Sequence, residues 1–427
     1  MTRWISSLAG LLLAAAGSAQ PSGPELPEPY ATPPAVKLPR VVGWPEGATP
    51  VAPSGFRVGA FARDLESPRW LTVLPNGDVL VAQSRTEIPA ERRANMDPER
   101  LRRIEASRGG SGPSPNRVTL LRDVDGDGVA DQRHLLIEGL RQPFGLLLRR
   151  DRLYVASTDA VWSCSFLVGQ TRINGKPRKL FDLPAEGYKN HWTRNLATDP
   201  DEKRLYVAVG SATNVDEEHI DEKQPHRAAI LSASWDGRDI TVFASGLRNP
   251  VGMAFEPETG QLWTVVNERD MLGDDLVPDY LTSVREGAFY GWPYAYFGGH
   301  EDPRKRGERP DLVASAVVPD FALGAHTASL GLAFYRGRSF PERYQGGAFV
   351  GQHGSWNRSA FAGYRVVFVP FDKGRPAGAA EDFLTGFIKD EASDEVYGRP
   401  VGVAVARDGA LLVADDAAGI VWRVAPR

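Results

Sequence analysis

Ser67-Pro68-Arg69-Trp70-Leu71-Thr72-Val73-Leu74-Pro75-Asn76-Gly77-Asp78-Val79-Leu80-Val81-Ala82-Gln83 contains the unit that decides the fold. A small turn leads into an apolar strand, Pro75-Asn76-Gly77-Asp78 reverses the chain, and a second apolar strand returns. Asn-Gly is a strong hairpin signal because both residues tolerate the positive φ of a tight turn. Short aliphatic and β-branched runs between turn residues read as buried strands. The unit recurs, degenerate, from Gln142-Pro143-Phe144-Gly145 to Thr158, from His191 to Gly210, and from Asn249-Pro250-Val251-Gly252 to Glu268. Two further copies run from Ala328 to Gln352 and from Arg399-Pro400-Val401-Gly402 to Asp416, where Asp408-Gly409 is another hairpin signal.

Roughly 50 to 80 residues separate successive copies, so several units carry insertions. Repeated sheets arranged radially leave few open edges, and six copies predict an all-β, six-bladed β-propeller with loop and short helical insertions over residues 55–427. The competing topology is a β-sandwich with coincidental hairpins. Glu87 to Ser107 is charged and helix-prone, and reads as a solvated surface helix. Residues 20–54, crowded with Pro21, Pro24, Pro27, Pro29, Pro33 and Pro34, read as an extended N-terminal arm or linker. Residues 1–19 read as a signal peptide, with Arg3, an apolar core around Leu11-Leu12-Leu13 and small residues at Gly17-Ser18-Ala19. The apolar run is too short for a membrane span, so the expected location is periplasmic or secreted.

The 427 residues carry 50 basic and 54 acidic side chains, a formal charge of −4, which argues against a nucleic-acid partner. The single cysteine, Cys164, has no partner for an internal bridge and reads as a small buried hydrophobe. No C-x-x-C-H attaches a haem, so a redox role would need a bound organic cofactor and an external electron acceptor, a cytochrome or a quinone.

In a propeller the loops entering the inner strands converge on one mouth. His191, Arg248, Asn249 and Arg399 stand at such starts, and Gln83 ends a strand pair. Several cations and amides facing one cavity suggest an anionic, planar guest, because the arginine fork binds carboxylate bidentately. The alternative is that each caps its own turn or pairs with an acid of the next sheet.

Gly246-Leu247-Arg248-Asn249-Pro250-Val251-Gly252-Met253-Ala254-Phe255 resembles the G-x-R-N-P-x-G-x-A-F signature of the soluble quinoprotein glucose and sorbosone dehydrogenases. Gly287-Ala288-Phe289-Tyr290-Gly291-Trp292-Pro293 is similar to their G-x-x-Y-G-W-P segment, and Asn190-His191 to the segment of their catalytic histidine. Gly351-Gln352-His353-Gly354-Ser355-Trp356-Asn357-Arg358 and Tyr397-Gly398-Arg399-Pro400 look like the sorbosone and pyranose dehydrogenase branch.

The resemblance implies a propeller that binds pyrroloquinoline quinone (PQQ) and calcium and oxidises the anomeric hydroxyl of an aldose or other pyranose. It implies His191 as general base, a role imidazole suits near neutral pH. Arg248 would polarise the quinone oxygen. Asn249, Arg399, Gln83, Asn357 and Arg358 would hold the cofactor, and His326 and Trp356 would contact the sugar. His326 is as readily a buried structural residue. Arg269, Asp270, Asp274 and Asp275 align with the family's calcium loop, the alternative being a polar surface loop. Trp192 and Trp292 are further candidates for a sugar cleft.

Asp123, Asp125, Asp127 and Asp131 form a separate D-x-D-x-D-G pattern, either a structural calcium site or an acidic turn, with His134 where a twelfth-position acid is expected. The chain departs from the glucose enzymes at Val401, where a second arginine stands, and at Arg269-Asp270, where they have Gly-Pro. Two rival functions are a calcium-dependent propeller lactonase, which needs no quinone, and a non-catalytic carbohydrate- or protein-binding propeller.

Overall fold

The computed structural model describes residues 24–186 and 191–427. The expected signal peptide and Asn190 lie outside the described residues. The chain is predominantly β, with six four-stranded antiparallel sheets among the described residues. Their first strands are Pro68–Val73, Leu146–Arg149, Arg194–Thr198, Pro250–Phe255, Ser329–Phe334 and Pro400–Val405. Five sheets are meanders, two of them with a two-stranded hairpin inserted before the last strand. The sixth joins Pro400–Val405, Leu411–Asp415 and Ile420–Pro426 to Phe56–Ala62 from the other end of the chain, so one sheet ties both ends together. Each first strand touches the first strand of the next sheet, and Pro400–Val405 closes the ring on Pro68–Val73.

The glycines of the repeat mark where neighbouring sheets meet. A Cβ at Gly145 would lie 2.7 Å from Leu196 N, at Gly252 2.8 Å from Leu330 O, and at Gly402 2.6 Å from Arg69 O. Only glycine allows the backbones to approach that closely. The residue before each of these glycines points to the axis. Phe144, Val251 and Val401 join Trp70, Trp192 and Leu330 in one buried cluster drawn from all six sheets. Val401 is therefore a piece of an apolar plug.

The second strands, such as Val79–Gln83 and Leu205–Val209, are buried along their whole length, as the apolar runs require. Asn76-Gly77 makes the expected turn, with Gly77 at φ +98° and Leu74 N donating to Asp78 O at 2.8 Å. Cys164 is buried.

The Pro-rich arm is docked along its described length. Tyr30 N donates to Leu272 O at 2.7 Å, Lys37 N to Trp356 O at 2.9 Å, and Arg40–Val41 pairs in parallel with Glu395–Val396. The Glu87–Ser107 insertion forms helices Ala90–Ala94 and Pro98–Ala106, the second capped by Asp97. No helix among the described residues is long and apolar enough to cross a membrane.

Candidate active site

The turns that enter the first strands surround a cavity of about 410 Å³. Arg69, His191, Arg248, Asn249, His326 and Arg399 line it, drawn from five of the six sheets, with Trp192 and Leu330 of the apolar plug at its base. The sixth sheet begins beside Gln142, which instead donates from Nε2 to Arg85 O at 2.8 Å. Turns 300 residues apart in sequence therefore present charge to one space.

His191 is anchored through Nδ1, 2.9 Å from Ser211 Oγ and 3.2 Å from Ser211 O. The carbonyl can only accept, and Ser211 Oγ already donates to Thr213 O at 2.6 Å. Nδ1 therefore carries the proton and Nε2 is the basic nitrogen. Burial, followed by the charge of Arg248, holds the imidazole well below its ordinary pKa and keeps it neutral.

Arg248 is almost wholly enclosed and makes five hydrogen bonds. It donates from Nη2 to Asp270 Oδ2 and Asn214 Oδ1, both at 2.8 Å, from Nη1 to Glu268 O and to Asn267 O at 3.2 Å, and from Nε to Asn214 O at 3.3 Å. Each of its five N–H groups thus has an acceptor. Burial opposes ionisation of Asp270, but Arg248, with His326 and His191, holds its pKa at about 2. His326, at φ +61°, donates from Nε2 to Gly273 O at 2.8 Å and sets Nδ1 3.7 Å from Asp270 Oδ1. Burial disfavours its charge, but Asp270 and the Gly273 carbonyl outweigh it and raise its pKa.

The opposite wall holds a second charged group. Arg69 pairs with Asp416, whose Oδ1 also lies 2.8 Å from His353 Nε2. Burial and then Arg399 push His353 down to about 4. Arg399 itself donates to three carbonyls, those of His353 (3.0 Å), Ser107 (3.1 Å) and Gly354 (2.7 Å).

Five cavity-lining residues keep a buried polar atom with no hydrogen-bond partner among the described residues: Arg69 Nε, Arg85 Nε, Thr193 Oγ1, Asn249 Oδ1 and Glu268 Oε1. Buried polar atoms are rarely left so, and five around one cavity indicate a polar guest. Burial raises the Glu268 carboxyl to about 8. Gly210 holds the two halves of the base together, since a Cβ there would collide with Asn249 Oδ1 and come within 2.9 Å of His191 Cβ.

The sequence pattern of the TrAA12-like family matches residues 117–279 and 311–427, spanning both halves of this cavity. The chain belongs to the TrAA12-like family. It is 30% identical over 301 residues to an uncharacterized protein of Borreliella burgdorferi, covering 68% of this chain and 77% of that one. It is 24% identical over 440 residues to a pyrroloquinoline quinone-dependent pyranose dehydrogenase of Coprinopsis cinerea, covering 86% of this chain and 53% of that protein. The solved holo pyranose dehydrogenase PQQ domain of Coprinopsis cinerea has the same fold, with a TM-score of 0.69 at 21% identity over 90% of this chain and 98% of that one. The resemblance carried by Arg248-Asn249-Pro250 and Tyr290-Gly291-Trp292-Pro293 thus points to the same group of proteins.

This TrAA12-like chain does not bring every expected site residue to the cavity. His191, Arg248, Asn249, Arg399, His326, Trp356 and Asp270 line it. Gln83, Asn357, Arg358, Arg269, Asp274 and Asp275 do not. Gln83 is buried within its own sheet, donating to Glu66 O at 2.9 Å and accepting from Thr119 Oγ1 at 2.6 Å. Asn357 accepts from Met271 N and donates to Ala35 O, both at 2.7 Å, and so clamps the N-terminal arm. Arg358 reaches Asp274 O at 2.6 Å and Asp275 Oδ1 at 2.7 Å, while Ser359 donates to Asp274. The Arg269 side chain turns away into a buried pair with Asp302 at 2.6 Å. Trp292 also lies outside the cavity lining and donates to Asn214 O at 2.8 Å.

Asp123, Asp125 and Asp131 have carboxylate oxygens within 4.8 Å of one another. Their loop nevertheless satisfies them internally, with Gly126 N and Gly128 N donating to Asp123 and Val124 N to Asp131. Asp127 stands apart and accepts from Val129 N at 2.7 Å. An acidic turn accounts for these bonds.

Sequence reasoning missed four contributions to the TrAA12-like cavity. Arg69 and Asp416 sit at repeat boundaries already identified, one at the start of the first copy and one at the end of the last, and that placement was the available signal. Val36 and Leu38 of the arm also line the cavity, as do Met96, Arg100 and Ile104 of the helical insertion. That insertion is solvent-exposed and helical, as expected, and also forms a wall of the site.

Proposed function

We propose that this protein is an exported, PQQ- and calcium-dependent dehydrogenase, built as a six-bladed propeller over residues 55–427. In this reading it oxidises the anomeric hydroxyl of an aldose, pyranose or sorbosone-like sugar and passes electrons to an external acceptor. The observation that carries the proposal is the meeting of a neutral imidazole, His191, with the buried guanidinium of Arg248 in one cavity that holds five orphaned polar atoms. The pyranose dehydrogenase activity of the Coprinopsis cinerea relative supports it. Arg3 and the apolar run at Leu11-Leu12-Leu13 support export.

The donor set fits a flat, negatively charged quinone. Arg69, Arg248 and Arg399 surround the base of the cavity, and Asn249 offers an amide there. These residues would hold the cofactor. Calcium requires hard oxygen donors. Of the four aligned loop residues, Asp270 alone lines the cavity, and Glu268 beside it has the unpartnered Oε1, so these two carboxyl groups are the side chains we assign to the ion. Bound quinone supplies the acceptor for the hydride that leaves the sugar carbon.

The chain's own residues manage the proton. His191 receives the hydroxyl proton on Nε2, because Nδ1 is committed to Ser211. The imidazolium that forms is stabilised by Asp270, whose charge already acts on His191. Arg248 acts first through its fixed charge, since its N–H groups are all engaged; the 3.2 Å bond to Asn267 O is the weaker of its two Nη1 bonds and the one to exchange for a ligand oxygen. Trp192 and Trp356 present flat apolar surface to a sugar ring.

The test is an assay of purified protein supplied with quinone and calcium, an aldose panel and a dye acceptor. Dye reduction that requires quinone, calcium and sugar together supports the proposal. Lactone hydrolysis without quinone, or sugar binding with no dye reduction, overturns it.

A further inference from the structure

The outer wall of the cavity is not made by the ring of sheets. Helices Ala90–Ala94 and Pro98–Ala106 supply it, and their ion pairs sort by direction. Arg93 pairs with Glu105 at 2.6 Å and Arg102 pairs with Glu99, both within the insertion. Arg92 and Arg100, which line the cavity, have neither an ion pair nor a side-chain hydrogen bond among the described residues. Arg100 and Ile104 stand four apart on one face of helix Pro98–Ala106, while Arg92 lies on helix Ala90–Ala94 and Met96 in the link between the two. All four line the cavity, so the wall toward the cleft combines two cations with two apolar groups. Glu87 is the one acid on this wall. Deeper in the cavity the arginines are engaged, Arg69 by Asp416, Arg248 by Asp270 and Arg399 by three carbonyls.

Two unpaired arginines on a cleft wall do nothing for the fold, because exposed cations without partners contribute no packing or pairing. They suit a ligand that brings the missing negative charge. We infer that the substrate is an anionic sugar, an aldose carrying a carboxylate or phosphate at the end remote from its anomeric carbon. That group meets Arg92 and Arg100, the apolar face of the ring lies on Met96 and Ile104, and the anomeric hydroxyl points inward toward His191. Arginine binds both oxyanions through the same planar fork. This inference rests on the dehydrogenase reading for its chemistry, and on the wall alone for its charge preference.

The experiment compares glucuronate, glucose 6-phosphate and glucose as substrates of the protein loaded with quinone and calcium, at low and high salt. The expected result is a higher kcat/KM for an anionic sugar than for glucose, with the ratio falling about tenfold in R92A/R100A and shrinking with salt in the wild type. Arg100→Glu should push the ratio further toward glucose, and Arg102→Ala, on the paired side, should leave it at the wild-type value. A preference for glucuronate alone or for glucose 6-phosphate alone identifies the anion. Calorimetric titration of each sugar into protein without cofactor gives a second readout, in which the double variant binds the anionic sugar at least several-fold more weakly. Equal kcat/KM for all three sugars, or a ratio unchanged in R92A/R100A, overturns the inference and leaves the dehydrogenase reading standing. Turnover of none of them overturns the dehydrogenase reading, and the calorimetry then decides the charge preference by itself.

Discussion

Asp270 Oδ2 accepts a hydrogen bond from Arg248 Nη2 at 2.8 Å, inside a site where the guanidinium is 2% exposed. Removing one member of a buried pair strands the other charge, which typically costs about 3–5 kcal/mol. Asp270→Ala should therefore lower unfolding stability by about that amount, and Asp270→Asn, which keeps an acceptor, by less. Urea denaturation of the two variants checks the order. Equal stability of wild type and Asp270→Ala would show that Arg248 does not depend on this partner.

His191 titrates below its ordinary value because burial and Arg248 disfavour the imidazolium. A base that stays neutral to lower pH stays competent there, so kcat should hold as pH falls through 6.5, the ordinary imidazole value, and drop only further into acid. Arg248→Gln removes one cause and should raise the imidazole pKa, read by NMR titration of His191 in protein without cofactor. Ser211→Ala should lower kcat about tenfold with KM little changed, because the Ser211 carbonyl still holds Nδ1 but one anchor is gone. A pH–rate profile of wild type and Ser211→Ala with one sugar reads the effects on kcat.

Gly210 tests the packing beneath the base. Its Cβ would displace Asn249 Oδ1 and His191 Cβ together. Misplacement of catalytic groups by about 1 Å costs on the order of a hundredfold in rate. Gly210→Ala should therefore lose about that much kcat while its circular dichroism spectrum matches the wild type. Unchanged kcat would mean that the two side chains need not be held where they stand.

His353 predicts an acid sensitivity. Its folded pKa is about 4 against an ordinary 6.5, so the unfolded chain takes up a proton before the folded one does. Its contribution to stability is complete above about pH 6.5 and is lost progressively as pH falls toward 4. His353→Gln should flatten the melting-temperature curve over that window relative to wild type. A steeper curve in the variant would reverse the sign of this linkage.

The repeat and the convergence of its turns were legible in the sequence because their causes are local. Hairpin turns, all-apolar second strands and the Pro-x-Gly step each follow from neighbouring residues, and Gly252 and Gly402 are required by a backbone contact that four of the six copies make through a glycine. His191, Arg248, Asn249 and Arg399 were findable because they stand at the starts of three different copies. Gln83, Asn357 and Arg358 do not line the cavity, because a motif match fixes position along the chain and leaves side-chain direction open. Trp356, which lines the cavity, is the immediate neighbour of Asn357, which holds the arm. The helical wall was illegible because it is an insertion, with no counterpart copy to reveal which way Arg92 and Arg100 face.

The most direct measurement is quinone binding by wild type, Arg248→Ala and His191→Ala in the presence of calcium, followed by calorimetry, with dye-linked sugar turnover measured on the same samples. The predicted result is binding lost in Arg248→Ala, and binding retained with turnover abolished in His191→Ala. Wild-type binding in Arg248→Ala, or wild-type turnover in His191→Ala, would contradict a site in which the arginine holds the cofactor and the histidine takes the proton.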